Sequence, residues 1–208
     1  MPELTLPPEL AAELADIYAT LEEDYRCVAG QLALRCKDCP DNCCDSWFFH
    51  YTYSEWAWLW QGLRQLDEQR LAQIVRRAED YLQQSQAQLA AGQRPQLMCP
   101  LNENGLCGLY EHRLLVCRMH GVPAVLTRPD GHRLRFPGCF RCQEIVRGQY
   151  TSEDAAPFMD RTRLFTRLAD VEARLLGGSR QRIPKVKRTI AELIVLGPPV
   201  IADSYPMS

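Results

Sequence analysis

The sequence predicts a mainly α fold with a small β-hairpin, and three observations carry that reading. Apolar residues recur three and four positions apart over long runs at the start, in the middle and near the end of the chain. Turn chemistry at Arg128-Pro129-Asp130-Gly131 separates two short strand-like runs. Ten cysteines in 208 residues, four of them between Cys36 and Cys44, exceed ordinary usage and point to a stabilising element beyond the apolar core.

The first element is a helix. Leu10, Leu14, Ile17, Tyr18, Leu21, Tyr25, Val28 and Leu32 form one stripe, with Pro7-Pro8 ahead of it and Glu9, Glu13 and Asp16 near its start, where the helix dipole favours acids. Cys27 projects off the stripe and reads as a free thiol. The run Cys36-Lys37-Asp38-Cys39-Pro40-Asp41-Asn42-Cys43-Cys44 follows, in the pattern C-x2-C-x3-C-C. Pro40 suits the first turn of a helix and Asp38 is placed to cap it; a turn continuing from there sets Cys39 and Cys43 on one face. The side chains of Cys43 and Cys44 diverge by about 100° on a helix and point to opposite faces of a strand. The pair therefore suits neighbouring irons of a cluster, two separate metals, or one metal and one buried contact, rather than a single tetrahedral zinc.

Trp47 to Tyr53 is aromatic and strand-like, and its expected role is packing over a metal site. Thr52-Tyr53-Ser54-Glu55 has the form of a capping box and opens a helix through Trp56, Leu59, Trp60 and Leu63. A further helix runs from Asp67 to Ala91 and stops at Gly92. Between Cys99 and Cys107, Asn104-Gly105 folds the chain back and brings the two thiols together. Residues 108–118 form a short helix or turn that delivers Cys117. The hairpin of Val122–Leu126 and His132–Phe136 leads into Cys139-Phe140-Arg141-Cys142, a second C-x2-C like a zinc-ribbon half-site, which would complete ligation begun by Cys99, Cys107 or Cys117. Helices over Asp160–Leu176 and Pro184–Leu196 end the chain. The expected organisation is an N-terminal helix with a metal-binding domain over 1–150 and a helical extension over 151–208 that packs on it.

Chemistry rests on the thiols. The opening residues carry no basic and apolar leader pattern, and no stretch approaches 18 uninterrupted apolar residues, so the expectation is a cytoplasmic chain without a membrane span. In a reducing compartment, clustered cysteines serve as metal ligands more often than as bridges. Cys36, Cys39, Cys43, Cys44, Cys99, Cys107, Cys117, Cys139 and Cys142 are the candidate ligands, for an iron–sulfur cluster or zinc. Nine exceed the four that one zinc or one [4Fe–4S] cluster needs, so two centres fit the count. His120, three residues after Cys117, is the one histidine weighed as a ligand; His50, His112 and His132 read as surface or satisfied core residues. Seven acids and no base lie between Glu3 and Asp24, and nine bases against Asp170 and Glu172 lie between Arg161 and Arg188. Aromatic residues are not interleaved with those arginines as a nucleic-acid platform requires, so both runs read as solvated helix faces. No Ser/His/Asp order, H-E-x-x-H, G-x-G-x-x-G or Walker loop supports another enzyme class.

The pairing of C-x2-C-x3-C-C with the later C-x7-C-x2-Y-E-x-R-x3-C-R resembles the cysteine-cluster family described as a zinc- or iron-chelating domain. The matching positions are Cys36, Cys39, Cys43, Cys44, Cys99, Cys107, Tyr110, Glu111, Arg113, Cys117 and Arg118. Leu114 departs from the pattern, which usually has proline after the arginine. Related domains occur in flagellin lysine methylases, where the resemblance implies an iron–sulfur cluster. The sequence thus describes a metal-stabilised cysteine-cluster domain. Three functions are expected in turn: a metal-binding protein with a redox, storage or cofactor role; a zinc-stapled module that binds a protein partner; or an enzyme acting on protein side chains. The last lacks an evident methyl-donor nucleotide loop.

Overall fold

A computed structural model of the chain describes residues 3–36, 43–179 and 183–200. In chain order its elements are α1 (Pro8–Gln31), a 3-10 turn (Cys43–Asp45), α2 (Tyr53–Leu63), α3 (Glu68–Ala90), β1 (Asn102–Glu103), β2 (Leu106–Cys107), a 3-10 turn (Tyr110–His112), α4 (Leu115–Met119), β3 (Ala124–Thr127), β4 (Arg133–Phe136), α5 (Phe140–Gln149), β5 (Met159–Asp160), α6 (Thr162–Leu176) and α7 (Ile190–Val195), with two further single 3-10 turns. The fold is mainly helical with small sheets. These elements gather into two compact units.

The first unit comprises Met1–Ala11, Cys44–Leu114 and Glu172–Ser208. Here α2 starts where the sequence places it: Thr52 Oγ1 accepts from the Glu55 amide at 3.2 Å and donates to Glu55 Oε2 at 2.9 Å. A second cap comes from far along the chain, because the Glu172 carboxylate accepts the Tyr53 and Ser54 amides at 2.9 and 2.8 Å. Those amides would otherwise be orphaned at the positive end of the helix. Asp67 caps α3 through the Arg70 amide. The buried face of α3, Ile74, Ala78 and Tyr81, packs on α7, which opens with a capping box of Thr189 and Glu192. Both Trp56 and Trp60 donate their indole N–H to the Leu193 carbonyl.

Two expectations fail in this unit. Residues 46–52 are not a strand; among the described residues only His50 pairs there, as an isolated antiparallel bridge with Arg188. The capped helix claims Tyr53, while Trp47, Phe48 and Phe49 sit half-buried, so these aromatics pack by ring contact rather than by ladder. The last helix covers Ile190–Val195, not Pro184–Leu196, since Arg188 is held in that bridge and the Thr189 cap sets the start.

The second unit comprises Ala12–Cys43 and Leu115–Val171. Its core includes Leu14, Ile17, Leu21 and Leu32 of the predicted stripe together with Val122, Val125, Met159 and Val171, all buried. Arg118, also buried, pairs with Glu22 at 2.9 Å and lies over the Tyr18 ring. The expected hairpin forms, with Ala124 opposite Phe136 and Thr127 opposite Arg133. Two elements were not foreseen. Met159–Asp160 pairs parallel with β3, giving the order β4-β3-β5, and so delays α6 to Thr162. The second C-x2-C opens a helix, α5, instead of a ribbon turn. Among the described residues no helix is long and apolar enough to cross a membrane.

Candidate metal centres

In the first unit, a hairpin and a helix position the thiols. The predicted turn forms at Asn104 and Gly105, whose φ values of 53° and 88° suit a tight reversal between β1 and β2. The Asn102 amide donates to the Cys99 carbonyl and the Gly108 amide to the Leu101 carbonyl, so Cys99 and Cys107 leave and re-enter one compact loop. The Cys99 amide donates to the Cys44 carbonyl at 2.9 Å, which ties the end of the first cysteine run to the start of the second. Arg70 and Arg77 of α3 clamp the hairpin: Arg70 Nη2 lies 2.8 Å from Glu103 Oε2, and Arg77 Nη1 donates to the Asn102 carbonyl at 3.0 Å. Burial pushes the Cys99 thiol up to about 12; its neighbours Cys107 and Cys44 push the same way, against the Leu101 amide and the Arg77 guanidinium. Tyr81, buried on α3, is raised to about 12 by burial and by Cys99.

In the second unit, a tyrosine and two glycines do the positioning. Tyr25, on the last turns of α1, places its hydroxyl 3.8 Å from Cys36 Sγ. That hydroxyl occupies the space a side chain at residue 121 would need, since a Cβ on Gly121 (φ +135°) would collide with it. The Gly121 carbonyl accepts the Cys139 amide at 3.1 Å. A Cβ on Gly138 (φ +82°) would stand 2.6 Å from that same carbonyl and 3.1 Å from Cys142 Sγ. Contacts thus run without a gap from Cys36 through Tyr25 and Gly121 to Cys139, Gly138 and Cys142. Cys139 is the N-cap of α5, and Cys142, in its first turn, is fully buried. Burial, then Cys139, pushes the Cys142 thiol up to about 11. Burial holds the Tyr25 hydroxyl well above the ordinary phenol range, with Cys36, Cys139 and Cys43 adding to the effect.

The geometry links some of the predicted ligands and not others: backbone contact joins Cys44 to Cys99, Tyr25 lies against Cys36, and the Gly121 carbonyl and Gly138 stand beside Cys139 and Cys142. Cys117 is half-buried on α4 in the second unit, and Cys39 lies outside the described residues, as does the turn expected from Pro40. The nine described cysteines are thiols rather than bridges. Among the described residues no group of three or more His, Cys, Asp and Glu side chains is arranged to hold a metal ion. His120 is half-buried, its amide donating to the Val116 carbonyl. His132 is exposed, and Cys27 is exposed and accepts from the Gln31 amide side chain. His50 departs from expectation: it is fully buried, Nδ1 lies 3.9 Å from Glu55 Oε1, and neither ring nitrogen has a hydrogen bond among the described residues.

Tyr25, Arg77, Gly121 and Gly138 are the residues that reading the sequence for ligands passes over. Tyr25 looks like any other member of the apolar stripe. The glycines carried a weak signal, since each stands next to a candidate ligand, Gly121 after His120 and Gly138 before Cys139. No family model matches the chain, and no curated protein or solved structure matches it.

Proposed function

We propose that this chain is a metal-binding protein that holds an iron–sulfur cluster or zinc through its cysteine thiolates. One observation supports the proposal: the two cysteine runs meet in the fold, the Cys99 amide donating to the Cys44 carbonyl at 2.9 Å across more than fifty residues of sequence. Burial disfavours the thiolates of Cys99 and Cys142, and neighbouring thiols add to the effect, so these two gain most from a cation. A soft metal reverses the balance, since it binds the deprotonated form and supplies the missing positive charge. The residue types fit: sulfur donors select zinc or iron–sulfur clusters over hard cations. Cys142 is fully buried, and apolar burial of that kind tunes such centres. A cluster would give the protein one-electron chemistry, whereas zinc would give it folding energy and a staple for binding a partner.

The deciding measurement is metal and acid-labile sulfide analysis of protein purified without air, with a visible spectrum alongside. Iron with matching sulfide, and a brown colour that bleaches in air, identifies a cluster protein. Zinc without sulfide identifies a structural frame and turns attention to partner binding. Protein free of either metal, with all thiols open to alkylation, overturns the proposal.

A further inference from the structure

We infer that Cys139 and Cys142 form a redox-active dithiol at the start of α5, which exchanges with external disulfides through Cys139 and closes on itself through Cys142. The inference goes beyond metal binding and does not rest on it, since exchange needs only the two thiols and a disulfide.

The second C-x2-C opens a helix where a ribbon turn was expected, and that changes what its spacing does. Cys139 is the N-cap of α5, with extended backbone (φ −72°, ψ 167°), and Cys142 is the third helical residue. The Gln143 amide donates to the Cys139 carbonyl at 3.0 Å, which closes the first turn around the pair. Side chains at these two positions meet. At α2 the N-cap Thr52 hydroxyl lies 2.9 Å from the Glu55 carboxylate, and at α7 the N-cap Thr189 hydroxyl lies 3.0 Å from that of Glu192. At α5 the same two positions carry sulfur, and the Cys139 side chain makes no capping hydrogen bond.

The two sulfurs differ in access. Cys142 is fully buried and Cys139 is half-buried, and both are thiols. A Cβ on Gly138 (φ +82°) would stand 3.1 Å from Cys142 Sγ, so that sulfur is turned back toward the residue that precedes Cys139. Glycine leaves the space for it, and Gln143 fixes the turn by donating to the Gly138 carbonyl at 3.0 Å. The Gly121 carbonyl holds the Cys139 amide at 3.1 Å. An external disulfide therefore meets Cys139 first, and Cys142 waits behind it at the mouth of the helix.

Exchange proceeds in two steps with a low-molecular-weight disulfide, RSSR. The Cys139 sulfur, its proton given to water, attacks one sulfur of RSSR; a Cys139–SR bond forms, the RS–SR bond breaks and one thiolate leaves with the electron pair. The Cys142 sulfur, also deprotonated by water, then attacks Cys139 Sγ; the Cys139–Cys142 bond forms and the second thiolate leaves. Both leaving thiolates take up the released protons. The protein loses two electrons and two protons, and RSSR becomes two RSH. An external dithiol runs the same steps backwards.

The test uses the reduced, chelator-treated full chain, equilibrated without air against graded ratios of glutathione to glutathione disulfide. Samples are quenched in acid, unfolded, alkylated and mapped by peptide mass spectrometry. Cys139 and Cys142 are expected to lose their thiols together, in one two-electron transition, as a disulfide that maps to this pair. Cys142→Ser is expected to leave Cys139 carrying one glutathione, and Cys139→Ser to leave Cys142 unmodified in the folded chain. A pair that stays fully open to alkylation in glutathione disulfide alone overturns the inference. So does a disulfide from either thiol to a different cysteine, such as Cys36. A Cys142→Ser chain with no glutathione on Cys139 overturns the role of Cys139 as the exchanging sulfur. Metal is absent throughout, so failure here leaves the metal-binding reading standing, and failure of that reading leaves this one standing.

Discussion

The contact between Tyr25 and Gly121 can be tested without any metal, by a double-mutant cycle. Gly121 has φ +135°, a backbone region that costs a side-chain-bearing residue about 1–3 kcal/mol. A methyl group there would also overlap the Tyr25 hydroxyl and approach Cε2 and Cζ at 3.2 Å. Overpacking of that kind costs about 1–3 kcal/mol more, so Gly121→Ala should destabilise the reduced, metal-free chain by about 2–6 kcal/mol in all. Tyr25→Phe alone loses one polar contact, roughly 0.5–1.5 kcal/mol. In the double variant the overlap with oxygen is gone while the backbone strain stays. Its loss should therefore fall short of the sum of the singles by about 1–3 kcal/mol. Urea unfolding followed by circular dichroism measures all four forms, with the denaturant slope checked for constancy. Losses that add to within about 0.5 kcal/mol would show that the hydroxyl does not fill the Gly121 gap, and the reasoning that places Tyr25 among the thiols would be wrong.

Two further predictions concern the first unit. Glu172→Ala should cost about 2–3 kcal/mol and increase hydrogen exchange at the Tyr53 and Ser54 amides, because both lose a buried charged acceptor; unchanged exchange there would refute the cap. The hairpin clamp should be pH-dependent. Hydrogen bonding from Arg70 lowers the Glu103 carboxyl below its ordinary value of 4.5, against a smaller effect of burial, and Arg77 adds to the lowering. A lowered native value means stability that is fully present above pH 4.5 and is lost as pH falls through the native titration. The stability gap between wild type and Glu103→Gln should therefore close as pH drops from about 6 to about 3, and a gap that stays constant over that range would count against the clamp.

The parts of this fold that were legible in the sequence are those governed by neighbours in the chain. The α1 stripe, the Thr52 cap, the helix begun near Asp67 and the Asn104-Gly105 and Pro129-Asp130-Gly131 turns are local decisions, made over a handful of residues, and each stands where periodicity or turn chemistry put it. The misreadings share the opposite cause. Trp47 to Thr52 has strand propensity, but a strand needs a partner, and among the described residues the only pairing there is His50 with Arg188, more than a hundred residues away. Met159–Asp160 pairs with β3, a parallel partnership no local pattern announces. The cysteines show both sides of this limit. Their spacing announced thiol chemistry, and the divergence of adjacent side chains in Cys43-Cys44 already admitted two destinations. What lies beside a thiol depends instead on contacts between distant residues, such as where Gly121 leaves room for a tyrosine and where Arg77 meets a hairpin carbonyl. Spacing along the chain does not announce such neighbours, because Tyr25 and Gly121, which meet beside Cys36 and Cys139, stand far apart in sequence.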